Sequence, residues 1–398
     1  MQSRLKIFYS SILLTTFLPY IPAIFPFIPG QFFGFNLTGW AWMIMLLVAV
    51  INLFQSRSGQ FPFYFWLPWI LYMVIYLIID FSFLGLQLTL QYTLPILIGI
   101  VASGLTYKEE DLQWMFKWFI RLVALIYLLF VYANLFGNGF PPGMAVMPMI
   151  FSLAVSLFMG LHFLAGKKKY LFYVGLLFLA PIVDLTRMGI AAIAAIIILH
   201  FANRKLKTKI IFGVIGAVAF ILVFNSKAFQ EATFYSGEGS LSDVTLNYYD
   251  NTGIKSSGRS TWKKVLTPGL KAEPFWGNGP RADNKYLTKI TKMRGGEAHN
   301  DYLSVRFNYG YVGLSLLLFG FLGSFISLYA ISRKYVDSWY IWLISTSALT
   351  LYISFLMFMY TDNILKYTIY FPNYFFAMIG IVYSMRRDED IRSDTSLQ

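Results

Sequence analysis

The side chain best placed to move a proton in this sequence is a histidine in the run Glu297-Ala298-His299-Asn300-Asp301-Tyr302-Leu303. Only three histidines occur in 398 residues, and imidazole is the group that exchanges a proton most readily near neutral pH. His299 closes the one long polar segment of a very apolar chain. Directly after it the sequence returns to apolar residues at Phe307-Asn308-Tyr309-Gly310-Tyr311-Val312-Gly313-Leu314. A proton acceptor at a membrane surface, among many lysines and arginines, points to chemistry on an anionic, lipid-carried substrate. Glu297 and Asp301 flank the histidine as candidates to orient its ring or raise its basicity, with solvated loop positions as the bland alternative. For His299 itself the bland alternative is a cap on the span that follows.

The cations that would hold such a substrate fall in three places. Arg187 lies in Asp184-Leu185-Thr186-Arg187-Met188-Gly189, between two apolar stretches. An arginine costs roughly 2.5–3.5 kcal/mol at mid-bilayer and less near the surface, so this one needs a partner. The partner is either Asp184, three residues earlier, or an anion held jointly with Arg259. Arg306 lies just inside the span after His299 and is a candidate for a third phosphate contact. Guanidinium groups suit phosphate because they bond it in a bidentate, charge-assisted way. Residues 226–302 hold eleven Lys or Arg against eight Asp or Glu.

These residues must be positioned by membrane helices. The chain is 57% hydrophobic and 13% charged, with a mean hydropathy of +0.60, where a soluble domain carries roughly 25% charged residues. The deficit is concentrated in runs of bilayer-spanning length. About twelve spans are expected, near 7–28, 37–54, 61–80, 84–105, 114–136, 141–165, 169–185, 188–202, 209–225, 303–331, 339–360 and 364–385. The fold class is an all-α polytopic membrane protein: nine spans in 1–225, a long outer segment over 226–302, and three spans with a tail in 303–398. The basic clusters at Arg4/Lys6, Arg57, Lys108, Lys167–Lys169, Arg204–Lys209, Arg333/Lys334 and Arg386/Arg387/Arg392 all fall on one side of a twelve-span arrangement. By the positive-inside bias both termini are cytoplasmic and the long segment is outside.

The net charge of +13 is then a topology signal and a source of contact with lipid headgroups; no nucleic-acid motif accompanies it. Zero cysteines exclude disulfide and thiol chemistry. No Walker, dinucleotide, HExxH or paired-cysteine pattern is present, and neither a cofactor nor a metal is expected. Within the outer segment, Ser236–Asp243 reads as a loop. A short helix follows near Ser260 or Thr261, with Trp262, Val265 and Leu266 on its apolar face. Pro274-Phe275-Trp276-Gly277-Asn278-Gly279-Pro280 reads as a tight aromatic turn, and a second short basic helix is expected from about Asn284 to Met293. Trp262 and Trp276 are candidates to stack on sugar rings. His162 and His200 fall at cytoplasmic helix ends, Arg121 is placed to snorkel inward, and Asp362 and Lys366 stand at a spacing that would pair them on a helix.

The order of motifs is a Thr-Arg turn (Thr186/Arg187), Gly-Arg…Trp (Gly258/Arg259/Trp262), Pro-x-x-Gly-x-Gly (Pro274/Gly277/Gly279), His-Asn-x-Tyr-Leu (His299/Asn300/Tyr302/Leu303) and Asn-Tyr-Gly-x-x-Gly (Asn308/Tyr309/Gly310/Gly313). In this order and sidedness the chain resembles the O-antigen ligase and polymerase superfamily of bacterial envelope glycosyltransferases. The resemblance covers about 185–313. It departs from the family's usual pattern at Thr186, where a serine ordinarily precedes the arginine.

The resemblance implies a GT-C-like enzyme of the bacterial inner membrane that works on the periplasmic face. It would transfer a glycan from undecaprenyl pyrophosphate with inversion and without a metal. Arg187 and Arg259 would bind the pyrophosphate, with Arg306 as a third contact. His299 would deprotonate the acceptor hydroxyl, supported by Glu297, Asn300, Asp301, Tyr302 and Trp262. The implied partners are the lipid-linked glycan donor, a lipid-linked acceptor and membrane lipids, with a chain-length regulator as a further candidate. General likeness of Gly296-Glu297-Ala298-His299-Asn300-Asp301-Tyr302-Leu303 favours a polymerase over a ligase that delivers finished glycan to lipid A core. A polytopic transporter is the rival from another class. It would concentrate ionisable residues near mid-membrane, whereas here they collect at the outer surface.

Overall fold

The computed structural model of the protein describes residues 2–55, 60–136, 146–201, 259–291 and 297–396, with short pieces between 218 and 239. These residues are helical almost throughout. In chain order they form α1 (Gln2–Phe17), a 3-10 turn, the one-turn α2 (Ile21–Ile24), a minimal hairpin pairing Gln31–Phe32 with Phe35–Asn36, α3 (Leu37–Gln55), α4 (Phe63–Ile79), α5 (Phe83–Gly104), α6 (Glu109–Phe136), α7 (Met147–Ala165), α8 (Lys169–Val183) and α9 (Arg187–Phe201). After them come α10 (Lys227–Thr233), α11 (Arg259–Ala272), α12 (Ala282–Thr291), α13 (Asp301–Lys334), α14 (Trp339–Thr361) and α15 (Pro372–Ser396). Among the described residues, seven helices are long and apolar enough to cross a membrane by length and composition, and α4, α8 and α9 are apolar but shorter. The chain is an all-α membrane protein. The span expected at 209–225 and the loop at Ser240–Asp243 lie largely outside the described residues.

Two expected spans differ in extent, and proline marks the end of the first and the start of the last. The first begins earlier, at Gln2, and α1 gives way to the 3-10 turn and α2 around Pro19 and Pro22. The last was expected from 364, but α15 starts only at Pro372, and residues 363–371 form an irregular buried segment. Proline has no N–H to donate and disfavours helical geometry in the residue before it, so it opens a helix rather than continuing one.

The helices pack through small residues, as membrane interfaces do where backbones must approach. A Cβ on Gly380 of α15 would stand 2.3 Å from the carbonyl oxygen of Gly99 on α5. Trp66 of α4 fills the space above Gly320 of α13 and donates its indole N–H to Ser324 Oγ at 2.8 Å.

Cross-contacts fix which helix ends lie together. α7 and α9 run parallel: Gly189 lies against Pro148 near their N-termini, and Phe163 stacks on His200 near their C-termini. α7 and α14 run antiparallel, with Ser156 Oγ donating to Ser347 O (2.9 Å) and Gly160 against Leu343. The start of α13 joins the end of α14, because Tyr302 OH donates to Leu356 O at 3.0 Å. Arg187, His299 and the end of α14 therefore share one end of the bundle. At the other end Arg4 bonds Asn52 (3.1 Å), Lys334 meets Asp390 (3.1 Å) and Arg387 donates to Leu105 O (3.4 Å). The described basic clusters and the histidine motif occupy opposite ends.

Candidate functional site

The histidine corner is built by a helix start. Asn300 caps α13, its Oδ1 accepting from Leu303 N at 2.9 Å, so the capping role falls to Asn300 and leaves the His299 ring available. His299 itself is held at φ 39°, a left-handed conformation rare for a side-chain-bearing residue. Its ring is half exposed, and Nδ1 lies 3.4 Å from Asp362 Oδ1. Asp362 terminates α14, and the same Oδ1 accepts from Asn363 N at 2.9 Å. A carboxylate at Nδ1 holds the proton there and leaves Nε2 as the basic nitrogen.

Behind this corner lies a buried charge node. Glu297 accepts from the Arg281 guanidinium through Oε1 and from Asn363 Nδ2 through Oε2 (2.9 Å), and its Oε1 lies 3.4 Å from Lys366 Nζ. Burial alone would push the Glu297 carboxyl up, but Lys366 and Arg281 outweigh it and hold the carboxyl below its ordinary value. For Arg281 burial works the other way, and Glu297 more than offsets it. Asp283 of α12 accepts from Ser304 Oγ, and its N–H donates to Asn308 Oδ1 at 2.9 Å. Asp301, fully buried, accepts from Leu365 N at 2.9 Å. These bonds tie α12, the His299 turn, the first turns of α13 and the irregular 363–371 segment into one body.

Two of the sequence motifs prove to be partners. α13 is broken at Gly310 (φ 67°, ψ −168°), which frees backbone groups on both sides of the break. The turn Pro274–Gly279 binds them: Asn278 N donates to Phe307 O and Gly279 N to Asn308 O (2.9 Å each), while Tyr311 N donates to Pro274 O (3.0 Å) and Val312 N to Phe275 O (3.1 Å). The glycines and Asn278 thus set backbone, as the sequence suggests.

The remaining expected residues are placed as follows. Arg187 opens α9 and is half-buried; before it Leu185 takes φ 52°, and Thr186 N donates to Pro181 O at 2.9 Å. Arg259 opens α11, and its side chain lies outside the described residues. Arg306 is half-buried, its guanidinium carbon 4.2 Å above the Tyr311 ring. Trp262 packs against a small core of Leu266, Leu270, Leu287, Ala298 and Phe307 that seats α11 and α12 on α13. The second basic helix is α12, and its first turn supplies Asp283.

Three expectations are corrected. Asp362 and Lys366 do not pair with each other, because 363–371 is not helical; Asp362 faces His299 and Lys366 faces Glu297. The acid beside the His299 ring is Asp362 rather than Glu297 or Asp301. Glu297, half-buried, and Asp301, buried, are partners of other protein groups rather than solvated. Sequence reasoning missed Arg281 and gave Lys366 the wrong partner, although a lysine inside Ile364-Leu365-Lys366-Tyr367 carries the signal of an expensive buried charge. Four residues with side chains have positive φ among those described, Phe33, Leu185, Arg281 and His299. Three of them border this site, in keeping with the clustering of backbone strain where function needs it. Among the described residues no three His, Asp or Glu side chains are grouped to hold a metal ion.

Comparison with known proteins bears on this end of the molecule. No individual curated protein matches the chain. Residues 172–318 match the family described as O-Antigen ligase, a stretch that runs from α8 through Arg187, the Pro274–Gly279 turn and His299 to α13. Over that stretch, a little more than a third of the chain, the protein is similar to the O-antigen ligase family, which supports the resemblance to the ligase and polymerase superfamily.

Proposed function

We propose that the protein is a glycosyltransferase that polymerises oligosaccharide repeat units carried on undecaprenyl pyrophosphate, working at the periplasmic face of the bacterial inner membrane. The match of residues 172–318 to the O-Antigen ligase family supports ligase- or polymerase-type glycan transfer. The observation that supports base-catalysed transfer is the pairing of His299 with Asp362 at the bundle end that Arg187 shares, opposite the basic ends. The choice of polymerase over ligase rests on the likeness of the run Gly296–Leu303.

In the reaction, His299 Nε2 takes the proton of the acceptor hydroxyl while Asp362 holds Nδ1–H. The acceptor oxygen attacks the anomeric carbon from the face opposite the leaving group, so the configuration inverts. The bond from that carbon to the pyrophosphate oxygen breaks, and undecaprenyl pyrophosphate leaves with the electron pair. Arg187 and Arg259, with Arg306 in reserve, stabilise the charge that grows on the departing phosphate. These cations take the role that a divalent ion has in many soluble transferases. Asn300, Tyr302 and Trp262 act through position, fixing the histidine turn and seating α11. The acceptor is a second lipid-linked glycan.

The test uses a host strain that lacks the gene, supplied with wild type or His299→Ala. Its glycans are resolved by size, and their anchor is identified. Single repeat units on lipid A core in the His299→Ala strain mean that chain growth has failed, as proposed. Long chains left on the polyprenyl carrier mean that transfer to the core has failed and the protein is a ligase. A wild-type pattern removes His299 from catalysis.

A further inference from the structure

The Pro274–Gly279 turn belongs to the outer segment, yet it does not sit on top of the bundle. Its Gly279 end lies against Asp80, just past the end of α4, but its Trp276 end reaches the level of Tyr72 on α4, whose OH donates to Trp276 O at 3.0 Å and to Tyr309 O at 3.2 Å. Tyr72 lies seven residues before the end of α4 at Ile79, or about 10 Å along the helix axis. The outward face of α4 stays apolar and exposed past that level, at Ile75 and Ile78. On the neighbouring helix Tyr311 heads a stripe of exposed apolar residues that continues through Leu318, Leu322 and Ile326, at the seven- and four-residue spacing of one helix face.

Between these two stripes the turn presents Phe275, 63% exposed, and Trp276, 59% exposed. Phe275 packs beside Tyr311, with ring centroids 6.2 Å apart. Two aromatic side chains this exposed would be costly in water, and they extend the lipid-facing band without a break. Irregular backbone is tolerated at membrane depth only where its polar groups are satisfied by protein. The carbonyls of Pro274, Phe275 and Trp276 and the N–H groups of Asn278 and Gly279 are all bonded to α13 or to Tyr72.

We infer that the turn Pro274–Gly279 re-enters the outer leaflet and that Phe275 and Trp276 contact phospholipid hydrocarbon there, anchoring the outer segment to the bilayer. Arg281 follows the turn by two residues, so this anchor leads directly into the charge node behind His299. The sugar-stacking role considered for Trp276 is the competing occupancy.

Because the chain has no cysteine, the full-length protein in nanodiscs accepts one nitroxide label without background. Labels at Trp276→Cys and, independently, Phe275→Cys are compared with Ile326→Cys on the lipid face and Lys264→Cys on exposed α11. Collision with dissolved oxygen, which concentrates in lipid, is measured against collision with a water-soluble nickel chelate. An oxygen-to-nickel ratio at 275 and 276 close to that at 326 supports the inference, and two positions keep the test open if one variant misfolds. A ratio like that at 264 overturns it. So does a label open to nickel that becomes shielded only on adding lipid-linked glycan, which would make the turn a sugar subsite.

Discussion

His299 and Asp362 are 63 positions apart in sequence and meet at 3.4 Å, Nδ1 to Oδ1, because one residue ends the turn before α13 and the other terminates α14. An aspartate there accepts the Nδ1 proton, whereas an asparagine amide can donate to Nδ1 and so favour the tautomer that lacks a free Nε2. Removing the base in His299→Ala is expected to slow transfer by about 10²–10⁴-fold. Asp362→Asn is expected to slow it by a smaller factor, with kcat lowered and KM for the lipid-linked donor unchanged. Asp362→Glu should recover part of the loss. Steady-state kinetics on purified protein with a lipid-linked donor checks the split.

The charge node predicts a stability effect with a definite pH dependence. Removing one member of a buried ion pair leaves its partner uncompensated, at a cost of about 3–5 kcal/mol. Glu297→Gln strands both Arg281 and Lys366, and thermal unfolding in detergent should show that loss near neutral pH. Glu297 is held below its ordinary carboxylate value in the fold. Its contribution is therefore present above the unfolded value of about 4.3 and disappears as pH falls through the lower folded value. The stability gap between wild type and Glu297→Gln should narrow on acidification in that range, and the variant Glu297→Gln/Lys366→Met should be more stable than Glu297→Gln alone.

Local rules read from the sequence located some of this and not the rest. His299 is identified by its chemistry, and hydropathy with charge bias places it at the end of the bundle away from the basic clusters. The Pro274–Gly279 turn follows from its own residues. Its docking partner does not, since nothing in either segment announces that a break at Gly310 needs external hydrogen bonds. The pairing of Asp362 with Lys366 fails for a specific reason. Four-residue spacing brings side chains together only on a helix, and Pro372 prevents α15 from reaching back to them. Lys366 and Arg281 converge on Glu297 from segments 85 positions apart (366 − 281), a relation set by how α13, α14 and α15 pack.

Gly310 has φ 67° and ψ −168°, a region of backbone space that essentially only glycine occupies. A Cβ there would stand 2.0 Å from the carbonyl oxygen of Phe275. Gly310→Ala adds about 1–3 kcal/mol of backbone strain to that clash and should unseat the turn, with a large loss of folded protein by size-exclusion chromatography. Gly166→Ala is the matched control. Its φ is also 67°, but nothing lies within 4 Å of the added methyl, so it should cost about 1 kcal/mol and leave yield nearly unchanged.

Arg187 and Asp184 offer the sharpest separation of anion binding from internal pairing. If the arginine served the aspartate, removing either would be equally harmful. If it instead serves the pyrophosphate, as proposed, the aspartate is dispensable for transfer. Asp184→Asn is therefore expected to retain glycan transfer. Arg187→Lys keeps the charge but loses the planar fork that grips two phosphate oxygens at once. Hydrogen bonds to charged groups are worth about 1.5–3 kcal/mol, so transfer should fall by roughly 10- to 100-fold, with unfolding temperature unchanged. Glycan ladders from the gene-deleted host, run beside melting curves of the same variants, check both halves. Equal loss in Asp184→Asn and Arg187→Lys would return Arg187 to a structural role.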